Sequence, residues 1–171
     1  MKIILYDIVG MVALLLGSSL QSGAAGEDKL VVGWAEKVRI FPGNVVAHAK
    51  LDTGADNSSL NVPIMQEFTR DRAKWVRFEF TSREGKTVTF ERKVVRVAKI
   101  KQHEGERRER PVVRLGICIG NLYREAEVNL VDRSVFEYEI LIGRSFMANK
   151  LQVDPSKKYT VDPSCMEAPT N

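Results

Sequence analysis

The chain has few of the residue types from which metal and nucleotide sites are usually built. Its 171 residues include only two histidines and two cysteines. His48 and His103 lie far apart, no His-Glu-x-x-His segment occurs, and the cysteines form no zinc knuckle. No Gly-x-x-x-x-Gly-Lys-Ser/Thr loop is present to bind the phosphates of ATP. The sequence therefore predicts neither a metal nor a cofactor.

The sequence also lacks a concentration of charge of one sign. The formal net charge is +4, and basic residues are interleaved with acidic ones. Even the most basic segment, Glu106–Arg110, contains two acids, and it is typical of a solvated loop. A nucleic-acid interface usually places basic residues on one face with aromatic residues between them. We therefore expect no nucleic-acid partner.

The apolar run near the N-terminus is too short for a comfortable membrane span, which needs about 20 residues. This run, Ile8–Leu16, follows Lys2 and precedes the small residues of Ser18–Ala25. That order is typical of a secretory signal peptide. We expect residues 1–25 to be removed, the mature protein to be periplasmic or secreted, and no stable membrane insertion afterwards. The alternative is an uncleaved N-terminus that associates weakly with the membrane.

Length and composition predict one folded domain, because 171 residues with 44% apolar content suffice for one core. We expect a linker at 26–30, a domain at 31–165 and a disordered tail at 166–171. Cys118 lies in an apolar segment and Cys165 near the C-terminus. A disulfide between them and two unrelated thiols agree equally well with the sequence.

Strand-like segments separated by turn residues dominate the chain, and helical periodicity is scarce. This pattern predicts a mainly β protein with a closed or folded-over barrel. Turns are expected at 42–44, 82–86 and 120–121, and a charged loop at 101–110. Short helices are expected at 62–68 and, more strongly, at 144–150. The predicted strands are 31–34, 37–41, 45–51, 75–81, 87–100, 112–119 and 122–131.

The most informative motif is the turn Asp52-Thr53-Gly54-Ala55, which follows the apolar strand Val45–Leu51. Two carboxyl groups held close together share one proton, so one activates water while the other hydrogen-bonds the developing oxyanion. In such a turn, Gly54 permits close backbone approach and Ala55 leaves room for a substrate backbone. Thr53 offers a hydroxyl that can bond across a twofold axis. The alternative is a chance β-turn of common turn residues.

About ninety residues after this turn comes the segment Ile140-Leu141-Ile142-Gly143-Arg144. The two motifs together resemble the retropepsin-like aspartic proteases, the family of the retroviral proteases, over Val45 to Asp154. The segment Val113–Val131 resembles the hairpin that precedes the terminal helix in that family. A bacterial group labelled ATP-dependent zinc proteases is more similar still, at Arg110-Pro111-Val112 and Leu130–Ser134.

The resemblance implies an acid protease fold: an all-β, retropepsin-like closed β barrel with one short C-terminal helix. It implies an aspartic endopeptidase that acts on polypeptides. Because the chain has one such turn, it also implies a homodimer in which Asp52 of each subunit forms the dyad. Asp56 and Arg144, which follows Gly143, would pair through two parallel hydrogen bonds and brace the loop beside the twofold axis.

A flap over the cleft is expected at one of two hairpin tips, and Lys101–Arg110 is favoured over Ser82–Lys86. The charges of the favoured tip differ from the glycine-rich, apolar flaps of retroviral proteases. Two alternatives to the exported protease stay open. One is a catalytically inactive peptide-binding module of the same fold. The other is an intracellular peptidase, or a partner of a ligase, that keeps its N-terminus.

Overall fold

The structure is a computed structural model that describes residues 28–101 and 107–165. The predicted signal peptide, residues 26 and 27 of the predicted linker, the tip of the favoured flap and the C-terminal tail lie outside these residues. In the described residues no helix is long and apolar enough to cross a bilayer. These residues form ten strands and one helix: β1 (Leu30–Phe41), β2 (Val45–Leu51), β3 (Ser58–Asn61), β4 (Met65–Arg70), β5 (Ala73–Thr81), β6 (Thr87–Lys101), β7 (Arg107–Ile119), β8 (Leu122–Val131), β9 (Ile140–Ile142), α1 (Arg144–Met147) and β10 (Leu151–Lys158).

Six of the strands close into a barrel in the order β1-β2-β9-β3-β8-β7. The closure is made by β7, which pairs back onto β1 between Cys118 and Arg39. Along β2, Val45, Ala47 and Ala49 are buried, while the residues between them are more accessible. This alternation with a period of two places every second side chain in the barrel core. The predicted closed β barrel is therefore confirmed.

A three-stranded antiparallel meander extends from the barrel and consists of β4, β5 and the first half of β6. Strand β6 belongs to both parts: Thr87–Lys93 pairs with β5, and Val94–Lys101 pairs with β7. The meander has its own aromatic packing, because Phe78 and Phe90 are buried and stack with ring centroids 5.1 Å apart. The meander thus continues the strand order beyond the barrel, and its buried aromatic residues belong to the same hydrophobic core.

The C-terminal segment is tied to the barrel at two places. Strand β10 runs parallel to β1, and beyond it the buried carboxylate of Glu36 accepts the amides of Thr160 at 3.0 Å and Val161 at 3.3 Å. Further on, Cys165 forms a disulfide with Cys118 of β7. The disulfide is therefore the arrangement present, and the alternative of two free thiols is wrong.

Several predicted elements differ from the structure. The helix expected at 62–68 is wrong, because this segment holds strand β4, which pairs with β5 along its whole length. The helix expected at 144–150 ends at Met147, and Asn149 takes a left-handed conformation with φ 65°. The strands expected at 31–34 and 37–41 are one strand, β1, whose pairing with β10 shifts between Gly33 and Ala35.

The hairpin of β6 and β7 is longer than predicted. Strand β6 extends to Lys101 and β7 begins at Arg107, so the described residues of the charged loop expected at 101–110 are strand. These charged residues form strands because β6 and β7 pair with each other, and a strand tolerates charged side chains on its exposed face. The residues 102–106, the tip of the favoured flap, lie outside the described part of the chain.

Candidate functional site

Asp52 lies at the end of β2, beside the end of β9. The two strands run parallel, with Leu51 opposite Ile142. The amide of Asp52 donates to the carbonyl of Ile142 at 2.9 Å and thereby extends this pairing by one step. Parallel strands end at the same edge of a sheet, so the turn after β2 and Gly143 after β9 meet there. The barrel therefore brings together two motifs that are far apart in sequence.

The catalytic-loop turn clamps one oxygen of the Asp52 carboxylate. Oδ1 accepts the amide of Gly54 at 2.9 Å and the amide of Ala55 at 3.2 Å. The amide of Ala55 also lies 3.3 Å from the carbonyl of Asp52. This pattern is a hydrogen-bonded aspartate turn, and it fixes the plane of the carboxylate. Asp52 is half-buried, whereas Thr53 and Gly54 are exposed at the tip.

Gly143 allows the segment after β9 to pack directly on the loop after Asp52. A Cβ atom at this position would lie 2.6 Å from the carbonyl carbon of Asn57 and 2.7 Å from the carbonyl oxygen of Asp56. Its amide donates to Oγ of the buried Ser58 at 3.1 Å. Only a residue without a side chain fits between these backbones. The requirement is steric, since the φ of Gly143 is −89°.

Arg144 holds the turn chiefly through backbone carbonyls. Its amide donates to the carbonyl of Ala55 at 2.9 Å, and its Nη1 donates to the carbonyls of Thr53 at 3.0 Å and Gly54 at 2.9 Å. Its Nη2 lies 3.7 Å from Oδ1 of Asp56, with 53% and 72% of the two side chains exposed. The pair is thus at ion-pair distance, without the parallel hydrogen bonds that the resemblance implied. An ion pair so exposed contributes little by itself.

A second group of polar residues supports the loop from behind, and the sequence analysis missed it. The buried Asn129 of β8 donates from Nδ2 to the carbonyl of Ser58 at 3.1 Å. Arg96 of β6 donates to Oδ1 of Asn57 at 3.2 Å and to Glu127 at 2.6 Å. The sequence did carry a signal for Asn129, because this single amide side chain lies between the apolar residues Val128 and Leu130. An amide buried in such a strand needs hydrogen-bond partners. No comparable signal marks Arg96.

Two arginines that the sequence analysis left without a role interact with each other, and one of them, Arg133, also interacts with the charge of Asp52. Burial lowers the pKa of Arg133, the nearby charge of Arg110 lowers this pKa further, and the charge of Asp52 opposes the shift. Burial also lowers the pKa of Arg110. Arg133 donates to Oγ of Ser59 at 3.1 Å. The buried Nε of Arg110 has no hydrogen-bond partner among the described residues.

The remaining expected features are only partly within the described residues. His48 is half-buried in β2, with Nε2 at 3.7 Å from Oε1 of Glu84. The turn 82–86 is held to the loop before β9, because Arg83 donates to Glu139 and to the carbonyl of Glu137. The favoured flap tip is not described, so its role over the cleft stays a prediction. The absence of a metal or cofactor also stays a prediction.

Known proteins resemble this chain in sequence and in structure. A family profile described as retropepsin-like aspartic endopeptidase RimB matches residues 31–164. Two curated relatives from Shewanella pealeana and Shewanella halifaxensis, each named as an alpha-L-glutamate ligase, are 33% and 32% identical over 138 residues. The match covers 78% of this chain and 30% of each ligase, so the chain spans less than a third of their length.

A solved structure from Legionella pneumophila, described as a protein of unknown function, has a TM-score of 0.67 with this chain. The two are 32% identical, and the match covers 78% of this chain and 98% of the other. This match covers nearly all of the Legionella chain, whereas the ligase matches cover less than a third of each ligase. The fold therefore also occurs as a chain of about this size.

Proposed function

The chain belongs to the RimB-like family of retropepsin-like aspartic endopeptidases, and on that premise we propose that it hydrolyses peptide bonds with an aspartate dyad. The observation that carries the proposal is the carboxylate of Asp52, clamped through one oxygen by the amides of Gly54 and Ala55. The clamp pre-orients the carboxylate at the exposed tip of a rigid turn. A carboxylate held in this way can act as the base that activates a water molecule beside a bound peptide.

The second carboxylate would come from a second copy of the chain. Thr53 and Gly54 are exposed at the tip, so the turn is open to a partner. The ionised member of the dyad takes a proton from water as the water oxygen attacks the peptide carbonyl carbon. The protonated member donates to the carbonyl oxygen, which gives a neutral tetrahedral diol. The carboxyl that took the proton from water then donates it to the amide nitrogen, while the other carboxylate takes a proton from a diol hydroxyl. The C–N bond breaks to give an acid and an amine, and the dyad again holds one proton.

The substrate would carry glutamate side chains near the cleaved bond. Arg133 interacts with the charge of Asp52, and Arg110 lies near Arg133. A guanidinium binds a carboxylate with two parallel hydrogen bonds, and the Nε of Arg110 has no partner among the described residues. Two relatives are named for the ligation of glutamate, which supports an acidic polypeptide as substrate.

A second candidate is a module that binds glutamate-containing chains without cleaving them. The observation that favours it is the partial match to the ligases, where the matched part is 30% of a larger protein. A binding module beside a ligase would hold the acidic product in place. The two candidates differ in one respect, since only the protease needs the carboxylate of Asp52 and the dimer.

We also propose that the protein is exported. The disulfide between Cys118 and Cys165 supports this, because disulfides persist mainly in oxidising compartments. Mass spectrometry of protein from the native host should find a mature start near Ala25 or Gly26. An intact Met1 on protein from the cytoplasm would contradict export and leave the protease proposal untouched.

The deciding experiment compares Asp52→Asn with the wild-type chain on a library of acidic peptides. The substitution removes both the base and the shared proton, so cleavage should fall at least ~10³-fold. Sedimentation should show a dimer for both proteins. The matched control is Asp71→Asn, which makes the same chemical change at an exposed turn of the meander and should keep full activity. Turnover that survives in the Asp52 variant would reject the aspartic mechanism.

A further inference from the structure

A second cleft lies at the end of the barrel opposite Asp52 and has a volume of about 720 Å³. It is bounded by the turn Pro42–Asn44 and by side chains of β5, β6, β7 and β8. Asn44 precedes β2 and Asp52 follows it, and seven residues of extended chain separate them. At a rise of about 3.3 Å per residue, the strand places the Asn44 edge of the cleft roughly 23 Å from Asp52, and Asp52 is not among the residues that line the cleft. The cleft is thus separate from the proposed catalytic site.

The charged side chains that line this cleft are mostly cationic. Arg92, Lys93 and Arg114 contribute positive charge, and Glu125 is the acidic residue among the lining side chains. Burial lowers the pKa of Arg92, and the charge of Glu125 opposes the shift. One amino group of Arg92 donates to the carbonyl of Glu91 at 2.9 Å, which holds the guanidinium in place. Lys93 and Arg114 are exposed, so their charges are free to meet a ligand from solvent.

Aromatic side chains form the apolar part of the cleft. Trp75 is half-buried, and Tyr123 packs edge-on against Phe41 with ring centroids 5.7 Å apart. The ring of Tyr123 lies over Gly116, where a Cβ atom would be only 2.5 Å from the hydroxyl oxygen. The glycine therefore lets the tyrosine sit close to the strand. Burial raises the pKa of Tyr123, so the phenol stays neutral and adds no negative charge to the cleft.

The cleft connects along β8 to the loop that follows Asp52. Glu125 also lines a smaller depression of about 170 Å³, together with Asn57 and Ser145. From Glu125 to Asn129, whose amide supports that loop, the strand advances four residues, or roughly 13 Å. An extended peptide of a few residues can therefore reach from the catalytic turn to the cleft. The intervening carboxylate of Glu127 is paired with a guanidinium at 2.6 Å.

We propose that this cleft is an accessory binding site for a carboxylate-rich stretch of the polypeptide substrate, several residues away from the cleaved bond. This proposal rests on the proposed function, and it gives the protein a second point of contact with its polypeptide substrate. Carboxylates match the cationic lining, since guanidinium groups bind them in a bidentate manner. The aromatic walls contact the methylene groups of acidic side chains. The connection along β8 favours a long chain over a small free anion.

Binding is tested on the full chain carrying Asp52→Asn, which removes cleavage from the measurement. The probe is fluorescently labelled decaglutamate, followed by anisotropy at low salt. Changing Arg92, Lys93 and Arg114 together to Gln should weaken binding at least tenfold. The matched control changes Lys74, Lys157 and Lys158 to Gln, because these exposed lysines carry the same charge outside the cleft. Equal losses in both triple variants, or no loss in the cleft variant, would overturn the proposal.

Gly116→Ala tests the shape of the cleft without any change in charge. The added methyl group must displace Tyr123, so decaglutamate binding should weaken several-fold while the thermal melting curve stays cooperative. The cleft triple variant remains the primary test if this variant melts non-cooperatively. A labelled nucleoside triphosphate is the competing probe. If it binds the cleft, and decaglutamate fails to displace it, the site belongs to small anions and the proposal is wrong.

Kinetics separates this proposal from the proposed function. With active protein, the cleft triple variant should raise the KM for a 20-residue acidic substrate about tenfold and leave kcat unchanged. A hexapeptide that spans only the cleaved bond should be unaffected. If wild-type protein cleaves nothing while decaglutamate binding still depends on the cleft, the protease proposal fails and the cleft is a binding site for acidic chains that serves no cleavage. If cleavage proceeds and the long-substrate KM is unchanged, the accessory site fails alone.

Discussion

The catalytic end of the barrel and the outer meander use similar residues in opposite environments. At the catalytic end, Gly143 is enclosed by backbone atoms within 2.7 Å of a hypothetical Cβ. In the meander, Gly85 has no atom within 4 Å of such a position. Glu36 of the barrel is fully buried, whereas Glu91 of the meander shares its carboxylate with two exposed arginines. Burial, rather than residue type, determines how much each position matters.

This difference has a functional consequence. The groups proposed for chemistry need fixed positions, because misplacement by about 1 Å can cost a hundredfold in rate. The barrel supplies that rigidity through buried backbone contacts around Asp52. The meander carries charged side chains on its surface, and it contributes Trp75 and Arg92 to the cleft proposed as an accessory binding site. Paired substitutions in the two regions test this division.

The largest effect is expected when the two glutamates are compared. Glu36→Ala removes the carboxylate that accepts the buried amide of Gly33 and the partly buried amides of Thr160 and Val161. An unsatisfied buried donor costs about 1–3 kcal/mol and a partly buried one less, so we expect a total loss of roughly 3–5 kcal/mol in the free energy of unfolding. Urea denaturation measures it. Glu91→Ala should leave the urea midpoint nearly unchanged, and equal losses for the two would break the comparison.

The two glycines give the next effect. Gly143→Ala forces the loop at Asp56 and Asn57 to move, which should cost about 2–3 kcal/mol of stability and reduce cleavage roughly a hundredfold. Gly85→Ala meets no atom and is opposed only by its φ of +85°. That strain costs about 1 kcal/mol, with no change in kcat. An active, stable Gly143→Ala protein would show that the enclosure is dispensable.

Arg144→Ala should have an intermediate effect that depends on protein concentration. The substitution removes the bonds to the carbonyls of Thr53 and Gly54, and so loosens the turn at the proposed dimer contact. Activity should fall several-fold and recover in part at higher concentration, because Asp52 is untouched. Sedimentation at several concentrations measures the dimer. The control in the meander is Arg77→Ala, which should change neither activity nor dimerisation. If Arg144→Ala dimerises normally, Arg144 is not part of the dimer contact.

The smallest effect concerns pH and the meander ion pairs. Hydrogen bonds from Arg77 and Arg70 hold the pKa of Glu91 below its usual value of 4.5. A lowered folded pKa stabilises the protein above the unfolded pKa, and this contribution is lost as pH falls through the folded pKa. Glu91→Gln should therefore lower the urea midpoint slightly at about pH 7 and not at about pH 2. If Glu91→Gln lowers the urea midpoint equally at the lower pH, the effect comes from packing and not from the ion pairs.

Local chemistry made several elements predictable from sequence. The bounds of β2 are as predicted, and the hairpin at Gly120-Asn121 forms because Gly120 takes a left-handed φ of 55°. The aspartate turn could also be identified, since Asp52 bonds to amides only two and three residues away. Such contacts depend on neighbours in the chain, so the residue types alone indicate them. The barrel was predicted from the succession of short strands and from the family resemblance.

Contacts between distant segments were decided only by the tertiary structure. The segment that contains the start of β4 was predicted to be a short helix, but the backbone hydrogen bonds of β4 come from its pairing with β5. Glu36 meets Thr160, and Cys118 meets Cys165, only because β10 returns beside β1. The approach of Arg133 to the catalytic end has the same origin. Local turns are determined by the conformational preferences of adjacent residues, whereas these contacts require closure of the whole barrel, which no short segment encodes.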